Sequence, residues 1–312
     1  MGKYLMAGLV LMLAAVSAAA GEPVKPGIEI IDSAFRDVVA PNAEVREIAK
    51  DLKFTEGSTW YAAEKCLLFS DIPSDIIYKW TEGEGLKPWR QPSHNANGNT
   101  VDPQGRLVTC EHTSRSITRT GKDGKVETLC STYQGKKLSS PNDVVVKSDG
   151  TIWFTDPPYG IPKGEQKEQD KNRVYRLDPG AKEPVAVAED FDMPNGLCFS
   201  PLEKMLYVAD SGKPHHIRRF KVKADNTLEA GEVFATISPG GPDGIRCDRH
   251  GRVFSSAGDG VQVFNPDGKL IGKIHTPLAA SNCCFGGPDG KTFFITARTS
   301  VWAANLLVPG PK

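Results

Sequence analysis

The sequence predicts an all-β protein, a six-bladed β-propeller whose ring is closed by an N-terminal outer strand that completes the last blade. Three observations predict it. A unit recurs six times at blade-sized spacing, the strand pair inside each unit keeps a near-constant offset, and the stretch ahead of the first unit has the place that outer strands have elsewhere.

The six first strands open as "FTEGSTW", "NANGNTV", "SPNDVVV", "MPNGLCF", "GPDGIRC" and "ASNCCFG". Each sets an oxygen-bearing side chain at the same point: Glu56, Asn97, Asn142, Asn195, Asp243 and Asn282, at intervals of 41, 45, 53, 48 and 39 residues. The second strands end at Asp71, Glu111, Asp156, Asp210, Ala257 and Ala297, which lie 14 or 15 residues after the first-strand residue in every unit. Third strands follow in "IIYKW", "SITRT", "RVYRL", "HIRRF", "GVQVF" and "SVWAA", and outer strands are readable in "KVETLC", "PVAVAED", "GEVFAT" and "IGKIHT". The sixth unit runs out without a fourth strand, so "AEVREIAKDLKF" before Glu56 is assigned to close it and remove an open sheet edge. No stretch reads as a helix of useful length.

Residues 1–20 read as a secretory signal peptide: Lys3, an apolar run from Leu5 to Val16, then Ala18 and Ala20 before Gly21. The run is too short to span a bilayer. Residues 21–312 are then a single propeller domain, exported to the periplasm or secreted, with no membrane attachment after cleavage. The 38 basic and 38 acidic side chains are scattered, which leaves no electrostatic footprint for nucleic acid. Nothing points to an obligate assembly, and a monomer or weak oligomer is expected. The seven cysteines show no CxxC and no zinc spacing, and several sit inside apolar strands, so buried free thiols are expected rather than a disulfide framework.

In a propeller the innermost strands surround a central channel, so the six first-strand residues meet at one mouth. Carboxylates gathered there repel and are poorly solvated unless a cation compensates them. The donors are hard oxygens, with no His or Cys at any of the six positions. That favours a divalent metal, Ca²⁺ ahead of Zn²⁺, Mg²⁺ or Mn²⁺, held by Glu56, Asn142, Asn195 and Asp243. Asn97, Asp143 and Asn282, with His94 and His112 near the second repeat, are the expected substrate contacts. No GxSxG occurs, which argues against a serine nucleophile.

The chain resembles the bacterial gluconolactonases of the regucalcin-like (SMP-30) propeller family, most specifically in "FTEG", "DPQGRLVTCEH", "SPNDVVVKSDGTIWFTDPPYG", "PNGLCFSP", "LYVADS", "PDGIRCD" and "FGGPDGKTFFITARTS". The resemblance implies a metal-dependent hydrolase that opens sugar lactones such as glucono-1,5-lactone to the aldonic acid. It places metal ligands on Glu56, Asn195 and Asp243 with Asn142 beside them, and makes Asp243 the general base or the group that orients the attacking water. Animal members carry an Arg two residues before the third-repeat Asn, where this chain has Ser140, so their grip on the sugar is not carried over. Two other readings use the same site: a phosphotriesterase-like or broad lactone hydrolase, and a propeller that binds calcium or carbohydrate without turnover.

Overall fold

The computed structural model describes residues 25–311, so the signal-peptide reading lies outside the described residues. Six antiparallel sheets are arranged as a ring. Blade 1 comprises Thr55–Tyr61, Cys66–Asp71, Ile76–Thr81 and Gly85–Arg90, and blade 2 comprises Ala96–Val101, Leu107–Glu111, Ser116–Thr120 and Val126–Cys130. Blade 3 is built from Val144–Val146, Ile152–Asp156, Arg173–Leu177 and Val185–Ala188, and blade 4 from Pro194–Phe199, Met205–Asp210, His216–Lys221 and Glu232–Thr236. Blade 5 runs Ile245–Cys247, Val253–Ala257, Gly260–Phe264 and Leu270–His275. Blade 6 has Asn282–Gly286, Thr292–Ala297 and Ser300–Asn305, and its outer strand is the N-terminal Val45–Ala49, paired Val45 with Ala304 and Ala49 with Val301.

Some strands were not legible in the sequence: the outer strand of blade 1, Gly85–Arg90, a small hairpin of Thr132–Tyr133 with Lys136–Lys137 after blade 2, and one strand beyond blade 5. Gly27–Ile30 adds a fifth strand outside blade 5, pairing Gly27 with His275 and Ile30 with Gly272. The 3-10 turn Ser33–Asp37 follows and drops Phe35, fully buried, between blades 5 and 6. Among the described residues no helix is long and apolar enough to cross a membrane.

Side chains alternate across a strand, and here both sides are covered. In "CLLF" of blade 1, Leu67 and Phe69 enter the seam with blade 6, whereas Cys66 and Leu68 enter the seam with blade 2. In blade 3, Ile152 and Phe154 face blade 2 and Trp153 faces blade 4. Burial on both faces is why these strands read as continuous apolar runs rather than as polar–apolar alternation. Six hydrophobic clusters result, one per seam, and the cluster between blades 6 and 1 closes the ring.

The acids that end the second strands have a local task. The Asp71 carboxylate accepts the amides of Lys53 (3.2 Å) and Phe54 (3.0 Å), just ahead of Glu56. Asp156 accepts those of Ser139 and Ser140, both 2.8 Å, just ahead of Asn142. Asp210 accepts those of Asp192 (2.9 Å) and Met193 (2.8 Å), ahead of Asn195, and that of Gly212 (3.0 Å) just after its own strand. Blades 5 and 6, which end in Ala257 and Ala297, use hydroxyls instead: Ser256 Oγ accepts the Asp243 amide and Thr296 Oγ1 the Asn282 amide, each at 2.9 Å. Blade 2 departs again, its Glu111 accepting Arg90, Ser114 and Thr118 side chains. These acids tie down the segments that deliver the channel residues. Asp210→Ala strands three part-buried backbone amides, and is expected to cost about 1 to 3 kcal/mol. Urea unfolding checks it: the midpoint should fall while the slope holds.

Candidate active site at the channel mouth

Five of the six inner strands depart from regular pairing where the oxygen-bearing residue sits; in blade 6, Asn282 pairs regularly with Thr296. In blades 1, 2 and 4 the register shifts between Glu56 and Thr59, between Ala96 and Asn99, and between Pro194 and Leu197. These are bulges, and a bulge re-aims a side chain that regular pairing would send into a seam. In blades 3 and 5 regular pairing starts only after Asn142 and Asp243, at Val144 and Ile245.

The residue after the oxygen donor is Gly in four of the six units: Gly57, Gly98, Gly196 and Gly244. At each, a Cβ would strike the next inner strand. It would stand 1.8 Å from Asn97 O at Gly57, 2.6 Å from Asn142 O at Gly98, 2.2 Å from Asp243 O at Gly196 and 2.6 Å from the Asn282 Cα at Gly244. The approach is used for interblade hydrogen bonds, Gly98 N to Asn142 O (2.8 Å) and Gly196 N to Asp243 O (3.0 Å). This row was written in the sequence as Glu-Gly, Asn-Gly, Asn-Gly and Asp-Gly, and reading each donor alone passed over it.

A cavity of about 370 Å³ opens at this mouth, lined by Glu56, Asn97, His112, Asn142, Asn195 and Asp243 with Tyr159, Ser211 and an apolar wall of Phe54, Ile72 and Pro73. The amides form a relay. Asn97 Nδ2 donates to Asn142 Oδ1 (2.7 Å), Asn142 Nδ2 to Asn195 Oδ1 (2.5 Å), Asn195 Nδ2 to Ser211 Oγ (2.9 Å), and Ser211 Oγ to the carbonyl of Pro242, next to Asp243 (2.5 Å). Asn97 Nδ2 also lies 3.3 Å from His112 Nε2, which must accept, so the imidazole carries its proton on Nδ1. Burial pushes His112 down to about 4, so it is neutral at ordinary pH.

The other expected contacts do not line this cavity. Asn282 stands behind Glu56 and donates to its Oε2 at 3.1 Å. Asp143 is buried with its Oδ2 3.4 Å from Arg246 Nη1, because the residue after Asn142 points along the channel rather than out of it. His94 is exposed in a left-handed turn (φ 57°) on the outside of the mouth. Tyr159, Ser211 and the apolar wall were not anticipated. Tyr159 had a signal: blade 3 has the longest interval, 53 residues, and the excess is the segment between its second and third strands that carries "DPPYG". Ser140 holds that turn, donating to Pro157 O (2.7 Å) and accepting from Gly160 N (2.8 Å). Burial, with the Asp243 charge, pushes the Tyr159 hydroxyl up to about 12.

The carboxylates carry the electrostatic strain. Glu56 rises to about 7, chiefly through burial and further through the Asp143 charge, against the pull of the Gly57 amide (2.9 Å), Asn282 and Arg246. Asp243 is driven well above the usual range by burial and by the charges of Glu56 and Asp143. Two carboxylates that burial and repulsion disfavour, beside amide oxygens that each keep a second lone pair, fit a hard divalent cation. Among the described residues no group of three or more His, Cys, Asp or Glu side chains could hold a metal, so an ion here would take half its protein donors from Asn142 and Asn195. All seven cysteines are buried and free, Cys198 and Cys247 lying 3.7 Å apart, Sγ to Sγ.

Residues 54–299 match the family model for the SMP-30/Gluconolactonase/LRE-like region. The gluconolactonase of Zymomonas mobilis is 33% identical over 298 residues, covering 86% of this chain and 82% of that one. A solved gluconolactonase of Xanthomonas campestris superposes with a TM-score of 0.86 at 37% identity, over 91% of this chain and 97% of that one. Regucalcin of Xenopus laevis is 26% identical over 80% of this chain and 85% of its own.

Two expectations follow from the geometry. Gly196→Ala sets a methyl 2.2 Å from Asp243 O, backbone that cannot turn aside, so the mouth must open. Stability should fall by about 2 to 3 kcal/mol and any activity of the site by tenfold or more, read by urea unfolding and turnover. The second concerns pH. Since the folded pKa of His112 is depressed to about 4 from 6.5, its contribution is fully present above pH 6.5 and is lost as pH falls toward 4. Comparing wild type with His112→Gln in urea at pH 7.5 and 4.5, the variant should gain about 2 to 3 kcal/mol relative to wild type at the lower pH.

Proposed function

The chain belongs to the SMP-30/gluconolactonase/LRE-like family, and from that premise we propose that it hydrolyses sugar lactones such as glucono-1,5-lactone to the aldonic acid, with a divalent cation, Ca²⁺ in our reading, at the channel mouth. The observation that carries the proposal is a single cavity of about 370 Å³ bringing Glu56 and Asp243 together with the amides of Asn97, Asn142 and Asn195. Its size and its mixture of many hydrogen-bonding groups with one apolar wall suit a monosaccharide ring, which has hydroxyls at its edge and C–H groups on its faces.

Glu56, Asn142, Asn195 and Asp243 would hold the cation. A divalent ion bound there supplies Lewis-acid polarisation of the lactone carbonyl and offsets the charge that builds on its oxygen. The chain's own groups do the rest. Asn97, with Nδ2 turned into the relay, orients sugar hydroxyls. Phe54, Ile72 and Pro73 exclude water from the apolar face. Asp243 takes a proton from the attacking water, or orients that water, at its carboxylate. Tyr159 remains protonated across the working range and can donate from its hydroxyl to the ring oxygen as it leaves or to a sugar hydroxyl. His112 stays neutral and is a support for Asn97, so no step is given to an imidazolium. Residues 1–20 support placing this activity outside the cytoplasm.

The test is pH-stat hydrolysis of glucono-1,5-lactone and of a phosphotriester, with and without EDTA, for wild type and Asp243→Asn. Lactone turnover that EDTA abolishes and that falls at least a hundredfold in Asp243→Asn is expected. Phosphotriester turnover alone would replace the substrate assignment, and cation binding without turnover would make this a binding protein.

A further inference from the structure

Below the cavity the channel holds an ion pair that the proposed reaction does not use. Asp143 Oδ1 accepts the Val144 amide at 2.9 Å, and its Oδ2 stands 3.4 Å from Arg246 Nη1. Arg246 leaves the inner strand of blade 5 three residues after Asp243, and its Nη1 also donates to its neighbour's carbonyl, Ile245 O, at 2.7 Å. The pair therefore reaches across the channel from blade 3 to blade 5. It separates the upper cavity from a second one of about 560 Å³ at the opposite mouth, which Arg246 lines together with Trp60, Phe199 and Phe285. Asp143 is 2% exposed, so its charge is felt by Glu56 and Asp243 with little screening from water.

The charges within the channel can be counted. Glu56, Asp143 and Asp243 are the carboxylates that bear on the cup, and Arg246 is the largely buried cation beneath it. His112 and Tyr159 are neutral. Arg298, the remaining cation that acts on Asp243, is exposed on the rim and screened. With the carboxylates ionised, three negative charges and one positive leave −2. Only two of those three carboxylates, Glu56 and Asp243, reach the cavity, so the buried excess equals the charge of the groups an ion can touch.

We infer that the Asp143–Arg246 pair sets the valence of the ion that the cup accepts: by crossing the channel as a neutral unit it holds the excess charge at −2, which a divalent cation cancels. The inference rests on the cation site proposed above. It assigns to both residues a positioning and selectivity role, without contact to substrate or ion.

The experiment titrates Ca²⁺ and Tb³⁺, ions of similar size and different charge, into the metal-stripped full chain at pH 8 by calorimetry. Asp143→Asn leaves an excess of −1 and should weaken Ca²⁺ at least tenfold and Tb³⁺ more, lowering the Tb³⁺/Ca²⁺ affinity ratio tenfold or more. The double variant Asp143→Asn/Arg246→Met returns the excess to −2 and should restore both affinities to within about threefold of wild type, which a merely structural role of either residue would not do. Arg246→Gln, with an excess of −3, should move the ratio tenfold in the other direction and serves even if Asp143→Asn does not fold. Wild-type protein that binds neither ion would end the cation-site reading itself. Wild-type protein that binds Ca²⁺, with a ratio unmoved in the folded variants or a double variant that does not recover, would leave that reading in place and overturn the role of the pair.

Discussion

The whole site depends on how closely six inner strands approach one another around the channel axis. At Gly57, Gly98, Gly196 and Gly244 the neighbouring backbone or its amide occupies the space a side chain would need. Without that approach, Asn97, Asn142 and Asn195 could not pass hydrogen bonds from blade to blade, and Glu56 and Asp243 would not share a cavity. Close approach costs backbone freedom at each Gly. The seams between blades, each filled by its own apolar cluster, supply the compensating burial. Stability is thus concentrated away from the axis, which leaves the channel free to gather charges that a conventional core would exclude.

Position within the repeat divides the polar residues by task. In blades 1, 2 and 4 the first-strand donors turn inward at bulges and meet at the mouth, whereas Asp71, Asp156 and Asp210 of the second strands stay behind and hold the amides of the entering segment. Asp156 and Asn142 therefore belong to one device: the carboxylate fixes Ser139 and Ser140, and the fixed segment sets where Asn142 emerges. Ser140 carries the arrangement one step outward, because its hydroxyl ties down the turn that brings Tyr159 over the cavity. A small side chain at this position and an inserted loop opposite it are coupled features of the same wall.

Much of this was legible in the sequence. The six-unit register gave the blades, the ring closure by Val45–Ala49 and the meeting of Glu56, Asn97, Asn142, Asn195 and Asp243, since a repeat converts equal sequence positions into equal positions around an axis. What stayed hidden breaks the repeat or depends on the direction of one side chain. Gly27–Ile30 is a short, half-exposed edge strand with no counterpart in other blades. Asn282 occupies its register position yet spends its amide on Glu56, and Asp143 lies one residue from a mouth residue yet points down the channel. Tyr159 and Ser211 reach the cavity from loops, where periodicity carries no information. The glycine row was present as a pattern of dipeptides, but its meaning depends on distances between blades.

The channel also sets a limit on which charges the mouth can hold. Glu56 and Asp243 are pushed toward their protonated forms by burial, and Asp143 adds to that pressure from below. Were Asp143 not opposed, its charge would press the two mouth carboxylates further toward protonation and spoil them as oxygen donors. Arg246 opposes it from across the channel without itself entering the cavity, and so the cup stays acidic enough to attract a cation and open enough to admit a sugar. An Asp-to-Arg contact of 3.4 Å is too long to be the strongest ion pair a protein can build, and strength is not what the position requires. What it requires is a compensating charge at fixed depth, and two inner strands locked by their seams are well suited to provide it.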